Sequence, residues 1–196
     1  MRIPQTVMAT AAVVTTLVGM SVTGCSNHHP ESATPTSGSG AAPTHAPIVD
    51  YTQLLIKASD INAPDAFTAG PATKDPNGQK GALITFTDQD HSHTIIDTIQ
   101  ILPDAEATAT ALDSAKALHR ETLRTKALNA EVGVGGVTIS GLPQDHSKGV
   151  TVLLFTEGNA MVSLEFEGPS FALAPPEFVT EVGQKQDDAI KKGLGG

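Results

Sequence analysis

One segment limits the possible folds more than any other. Residues 148–156 (KGVTVLLFT) carry apolar or β-branched side chains on both faces of an extended chain. Such a strand is buried on both sides and belongs in the middle of a sheet. Its neighbours in sequence extend that sheet. Glu157-Gly158-Asn159 closes a hairpin into residues 160–167, where Val162, Leu164 and Phe166 alternate with Ser163, Glu165 and Glu167. A period of two leaves one face of that strand wet.

A second hairpin is predicted upstream. Residues 82–87 (ALITFT) and 94–102 (TIIDTIQIL) are rich in β-branched residues and flank a polar tip at 88–93. Pro103 then stops the strand. Asp104 and Glu106 suit the positive end of a helix dipole, and the helix is expected to run to about residue 128. Its apolar stripe reads Ala111, Leu112, Ala115, Leu118, Thr122 and Leu123. Val132, Val134, Val137 and Ile139 form a further strand, kinked around Gly133, Gly135 and Gly136. Near the start, Asp50 caps a short helix that turns Leu54 and Leu55 inward. At the end, Pro175-Pro176-Glu177 opens a helix with Phe178, Val179, Val182, Ala189 and Ile190 on one side, finished by Lys191, Lys192 and Gly193. The order α-β-β-α-β-β-β-α gives an α+β class. It implies a single antiparallel β-sheet with helices packed mainly on one face.

The amino terminus has a different character. Arg2 is the only charge before Glu31, and an apolar stretch runs over residues 7–20. It is short and diluted by threonine, so residues 1–24 are read as an export signal rather than a permanent membrane span. Residues 26–47 (SNHHPESATPTSGSGAAPTHAP) hold almost no large apolar side chain and are expected to be a flexible tether. About 22 residues of such chain reach roughly 25 Å. His28, His29 and His45 are then solvated linker residues. Residues 48–196 are left as the extracytoplasmic domain.

Composition narrows the chemistry. With 12 Lys+Arg against 21 Asp+Glu the net charge is −9, which argues against nucleic acid as a partner. A single cysteine excludes an internal disulfide and a cysteine-rich metal site. There is no GxSxG elbow for a nucleophile, and the Gly133–Gly136 stretch lacks the spacing of a nucleotide loop. Six Phe, one Tyr and no Trp leave few aromatic anchors. The densest set of potential ligands is the hairpin tip, with Asp88, Asp90, His91 and His93. Alternate residues there could converge on one cation, with His91 and His93 on the same side of a strand, or could simply be a solvated tip. An EF-hand loop starting at Asp88 fails, because its sixth position is His93 and its twelfth Ile99. Asp97 interrupts Ile95, Ile99 and Ile101, so it is either a buried carboxylate with a raised pKa or an edge or lysine-paired residue. His119 borders the apolar stripe of the long helix, as a hydrogen-bonded core-margin residue or as a catalytic one. No catalytic set, metal site or cofactor is assigned from these residues.

Val22-Thr23-Gly24-Cys25 resembles the bacterial lipobox, a branched apolar residue and two small ones before cysteine. The resemblance implies cleavage before Cys25, a diacylglyceryl group on its thiol, and leaves open acylation of the new amino group. Two chains anchor stably where one is marginal. With the tether and residues 50–60 (DYTQLLIKASD), the chain is similar to mycobacterial or related actinobacterial cell-envelope lipoproteins. Its domain order resembles small lipoproteins of the LpqN kind, with PsbP-like α/β sandwiches, and the extracytoplasmic sensor domains of mycobacterial Ser/Thr kinases. Those likenesses imply a monomeric, non-catalytic binding or sensor-type domain for a protein or small ligand, held at the membrane through Cys25. The alternatives are a lipid or glycolipid carrier and, further off, a hydrolase or metal-dependent enzyme.

Overall fold

The computed structural model describes residues 50–195. The export signal, Cys25 and the tether lie outside the described residues. The sheet contains β1 (Thr68–Ala69), β2 (Thr73–Lys74), β3 (Gly81–Thr87), β4 (Thr94–Ile101), β5 (Leu128–Asn129), β6 (Val134–Gly141), β7 (Gly149–Glu157) and β8 (Ala160–Gly168). Two helices, α1 (Ala105–Leu123) and α2 (Pro176–Leu194), interrupt and follow them. Strand order is β1-β3-β4-β8-β7-β6-β5, with β2 also on the outer side of β3, and every pairing is antiparallel. This is an α+β fold on one antiparallel sheet.

β7 lies inside the sheet between β6 and β8, and from Gly149 to Thr156 every residue is buried. Its alternate side chains enter two separate cores. Leu153 and Phe155 join Phe86, Ile95, Ile99, Val162, Leu164, Val179, Val182 and Ile190 under α2. Val150, Val152 and Leu154 join Val137, Ile139, Leu112 and Leu123 under α1. The expectation that the helices pack mainly on one face is therefore corrected: α1 and α2 cover opposite faces. The physical reason is β7 itself. A strand apolar on both faces needs a layer on each, and one helix serves each side.

α1 differs from expectation in two more respects. It ends at Leu123, not near residue 128, because Arg124 turns left-handed (φ 50°) and its amide caps Arg120 O and Glu121 O. Residues 128–129 then pair with β6 as an edge strand. The buried side of the helix carries Thr108, Leu112 and Leu123, whereas Leu118 is 61% exposed and Thr122 is exposed too. With so many Ala and Thr, this helix has no sharply defined apolar stripe. The start of α1 is as read: Asp104 accepts from the Ala107 amide at 2.8 Å.

α2 packs tightly because two of its residues lack side chains. A Cβ on Gly183 would stand 2.3 Å from Leu153 Cδ2, and one on Gly193 would stand 2.1 Å from Leu54 Cδ2. Gly193 thus lies within the helix, and Gly195 (φ 76°) ends it. Leu54 and Leu55 are buried as expected, but their helix is a single 3-10 turn, Tyr51–Leu54, started by an Asp50–Thr52 N hydrogen bond of 3.0 Å. Gln186, fully buried on α2, accepts from the Ile56 amide at 3.0 Å and donates to Leu54 O at 2.8 Å. Gly133 (φ 53°) stands just before β6, and Gly135 (φ 65°) lies inside the register shift between Val134 and Val137, the kink expected of them.

Candidate functional site

The hairpin tip is built around Asp88. Its carboxylate is 4% exposed and accepts from the His93 amide (3.1 Å) and the Ser92 hydroxyl (3.1 Å), and it meets His93 Nδ1 at 2.8 Å. Burial alone pushes this carboxyl up. The hydrogen bonds from His93 and Ser92, with the attraction of the His93 ring, overcome it and hold the group at about 2. Ser92 N bonds Asp90 Oδ1 at 3.1 Å, and His91 takes a left-handed backbone (φ 60°) with its amide on Asp88 O at 3.3 Å. Both His91 and His93 precede β4, which starts at Thr94, so they do not share a strand face. Asp90 and His91 are exposed. Among the described residues, no group of three or more His, Cys, Asp and Glu is gathered as for a metal ion.

The tip forms one end of a cleft of about 570 Å³. Its floor is Ile95 and Phe166, which are 1% and 3% exposed, and its walls include Phe67, Phe178 and Leu173. Phe166 and Phe178 meet edge to face, with ring centroids 5.7 Å apart. The walls come from distant parts of the chain: residues 62–67, the β3–β4 tip, the end of β8, and the loop leading into α2. Gly168 is required where the tip closes on β8, since a Cβ there would stand 2.8 Å from His93 Cδ2. The volume is in the range of small-molecule sites.

Asp97 is remote from this chemistry in kind though not in sheet. It faces the α2 core between Ile84 on β3 and Leu164 on β8, fully buried, and neither carboxylate oxygen has a partner. Burial pushes its pKa up to about 8; the Ile56 amide pulls the other way, but its hydrogen goes to Gln186. Of the readings open for this residue, the buried carboxylate is the one observed. His119 sits half-buried on α1, over the other face, and burial lowers its pKa. Of the six candidates, the structure brings Asp88 and His93 into the cleft and leaves Asp90, His91, Asp97 and His119 outside its lining.

Sequence reasoning missed the cleft. Phe67, Phe166 and Phe178 are separated by long stretches of chain, and nothing local marks them as neighbours. The one available signal was the segment 169–176, with proline at 169, 175 and 176, which forces a loop over the end of β8.

No helix among the described residues is long and apolar enough to cross a membrane. No protein-family model matches the chain, and no curated protein does either. Among solved structures it is similar to the extracellular domain of PknH from Mycobacterium tuberculosis, with 12% sequence identity and a TM-score of 0.57. The match covers 76% of this chain and 99% of that domain. At that identity the likeness is one of fold, and the fold is the sensor-domain-like one expected from the sequence.

Proposed function

We propose that the chain is a lipid-anchored lipoprotein of the bacterial cell envelope, with its domain on the extracytoplasmic side. In this reading the domain is a non-catalytic, sensor-type binding module, and a small ligand occupies the cleft between the hairpin tip and α2. The observation that carries the reading is the cleft itself, an apolar floor with polar groups at its edge. Against a hydrolase, Asp97 is sealed in the core and His119 belongs to the opposite face, so the candidate acids and bases do not converge on one reacting atom. Against a glycolipid carrier, about 570 Å³ suits one small ligand better than several acyl chains.

Two measurements test this reading. Native mass spectrometry of the chain purified from bacterial membranes is expected to show one small molecule bound per chain, released by Leu173→Glu; a chain empty at every preparation overturns the cleft reading. Cys25→Ala is expected to leave the membrane fraction, and its recovery there unchanged overturns the anchor.

A further inference from the structure

The cleft's chemistry is lopsided. Five carboxylates line it, from Asp65, Asp88, Glu167, Glu177 and Glu181, against one basic side chain, His93. Two of the five are already engaged: Asp88 by His93 and Ser92, and Glu167 by an ion pair with Lys148. Asp65, Glu177 and Glu181 have no cationic partner among the described residues; Glu181 has only Asn62 Nδ2 at 3.5 Å. Asp65 and Glu177 are exposed and Glu181 is half-buried, so three carboxylates without a cationic partner stand around an apolar floor.

A helix N-terminus beside a cleft ordinarily favours an anion, through its free N–H groups and the positive end of its dipole. Here α2 begins at Pro175 and Pro176, neither of which has an N–H, and the Val179 amide is used by Pro175 O at 3.1 Å. Of the four free N–H groups of an ordinary helix start only those of Glu177 and Phe178 remain, and the Glu177 carboxylate in that turn opposes an anion. Ile95, Phe166 and Phe178 give the rest of a ligand an apolar bed.

Resting on the cleft reading above, we propose that the ligand is an organic cation, an ammonium group carried on an apolar alkyl or aryl body. The body lies on Ile95, Phe166 and Phe178, and the ammonium sits among Asp65, Glu177 and Glu181. An anionic head would be repelled by these carboxylates, and a neutral head could donate hydrogen bonds to them but would lack the charge attraction.

The test titrates the full chain with three probes of one chain length, octyltrimethylammonium, octyl glucoside and octyl sulfate, each kept monomeric. Calorimetry gives affinities, and the methyl NMR signals of Ile95 and Leu173 locate the bound probe. The ammonium is expected to bind in the cleft about tenfold or more tightly than the glucoside and to weaken as salt is added. In the triple variant Asp65→Asn, Glu177→Gln, Glu181→Gln that ratio is expected to fall toward one. Cleft binding of the glucoside or sulfate at equal or greater affinity overturns the charge assignment and leaves the cleft reading standing. So does an ammonium preference that survives the triple variant. If none of the three probes moves the Ile95 and Leu173 signals, both readings fail together.

Discussion

At the tip of the β3–β4 hairpin Asp88 is buried with hydrogen bonds to both its carboxylate oxygens, and in the body of the same hairpin Asp97 is buried with none. Neither carboxyl meets much water directly, but Asp88 lies at the periphery of the domain and is held at about 2, whereas Asp97 lies deep in the core and is pushed to about 8. Depth of burial raises the Asp97 carboxyl, and hydrogen-bond partners hold down that of Asp88. At the tip the chain folds back so that an amide, a hydroxyl and an imidazole reach one carboxylate. In the middle of the strand the neighbours across the sheet are Ile84 and Leu164, which offer nothing to a charge. One aspartate fastens a loop as an anion, and the other lies in the core as a protonated acid at neutral pH.

The largest expected effect comes from removing the titration in the core. The native pKa of Asp97 lies above its unfolded value, so the folded state holds the extra proton between about pH 4 and 8. Its favourable contribution is fully present below about pH 4 and is lost as pH rises through about 8. Asp97→Asn is expected to flatten this slope, with near-equal stability at pH 4 and a gain of about 2–5 kcal/mol at pH 8. Urea denaturation across that range checks it, and a wild-type stability that rises from pH 5 to 8 breaks the contrast.

The tip should answer in the opposite sense. Asp88 has a lowered native pKa, so its contribution is present above about pH 4 and disappears as pH falls through about 2. Asp88→Ala leaves the His93 amide and the Ser92 hydroxyl without their acceptor and is expected to cost about 1–3 kcal/mol at pH 7. Calorimetric melting of the variant measures that loss, and faster amide exchange at His93 shows where it arises. The smallest effect is that of Ser92→Ala, which removes one bond of the set and should cost about 0.5–1.5 kcal/mol. It should also move the Asp88 carboxyl titration, read by carbon NMR, upward from about 2. An unchanged midpoint would show that His93 alone sets the tip.

The same hairpin shows how much was legible beforehand. Its two strands and the polar turn follow from β-branched alternation, because each depends on residues within a few positions of one another, whereas the burial of Asp97 was one of two open readings. β7 as an inner strand and α2 with its opening prolines were equally local. Two features were not. The face of α1 that turns inward could not be read from a helix so rich in Ala and Thr, where Leu118 looks like core and is 61% exposed. Nor could the cleft, whose Phe67, Phe166 and Phe178 become neighbours only when β8, the tip and α2 have assembled. The apolar character of β7 on both faces did contain the information that helices must cover both sides. It had to be carried from the strand to the layers around it.

The side chain of Gln186 has a mechanical consequence. Its two bonds, to Leu54 O and the Ile56 amide, join α2 to the stretch of chain just after Asp50. Tension applied at Asp50 from any preceding segment runs along Tyr51–Leu54 and loads these bonds before it reaches a strand of the sheet. Their rupture would withdraw Leu54 from its seat against Gly193 and open a path for water to the Asp97 carboxyl near Ile56. A pull on this end of the domain is thus converted first into wetting of the α2 core, while the ladders from β3 to β6 are still closed.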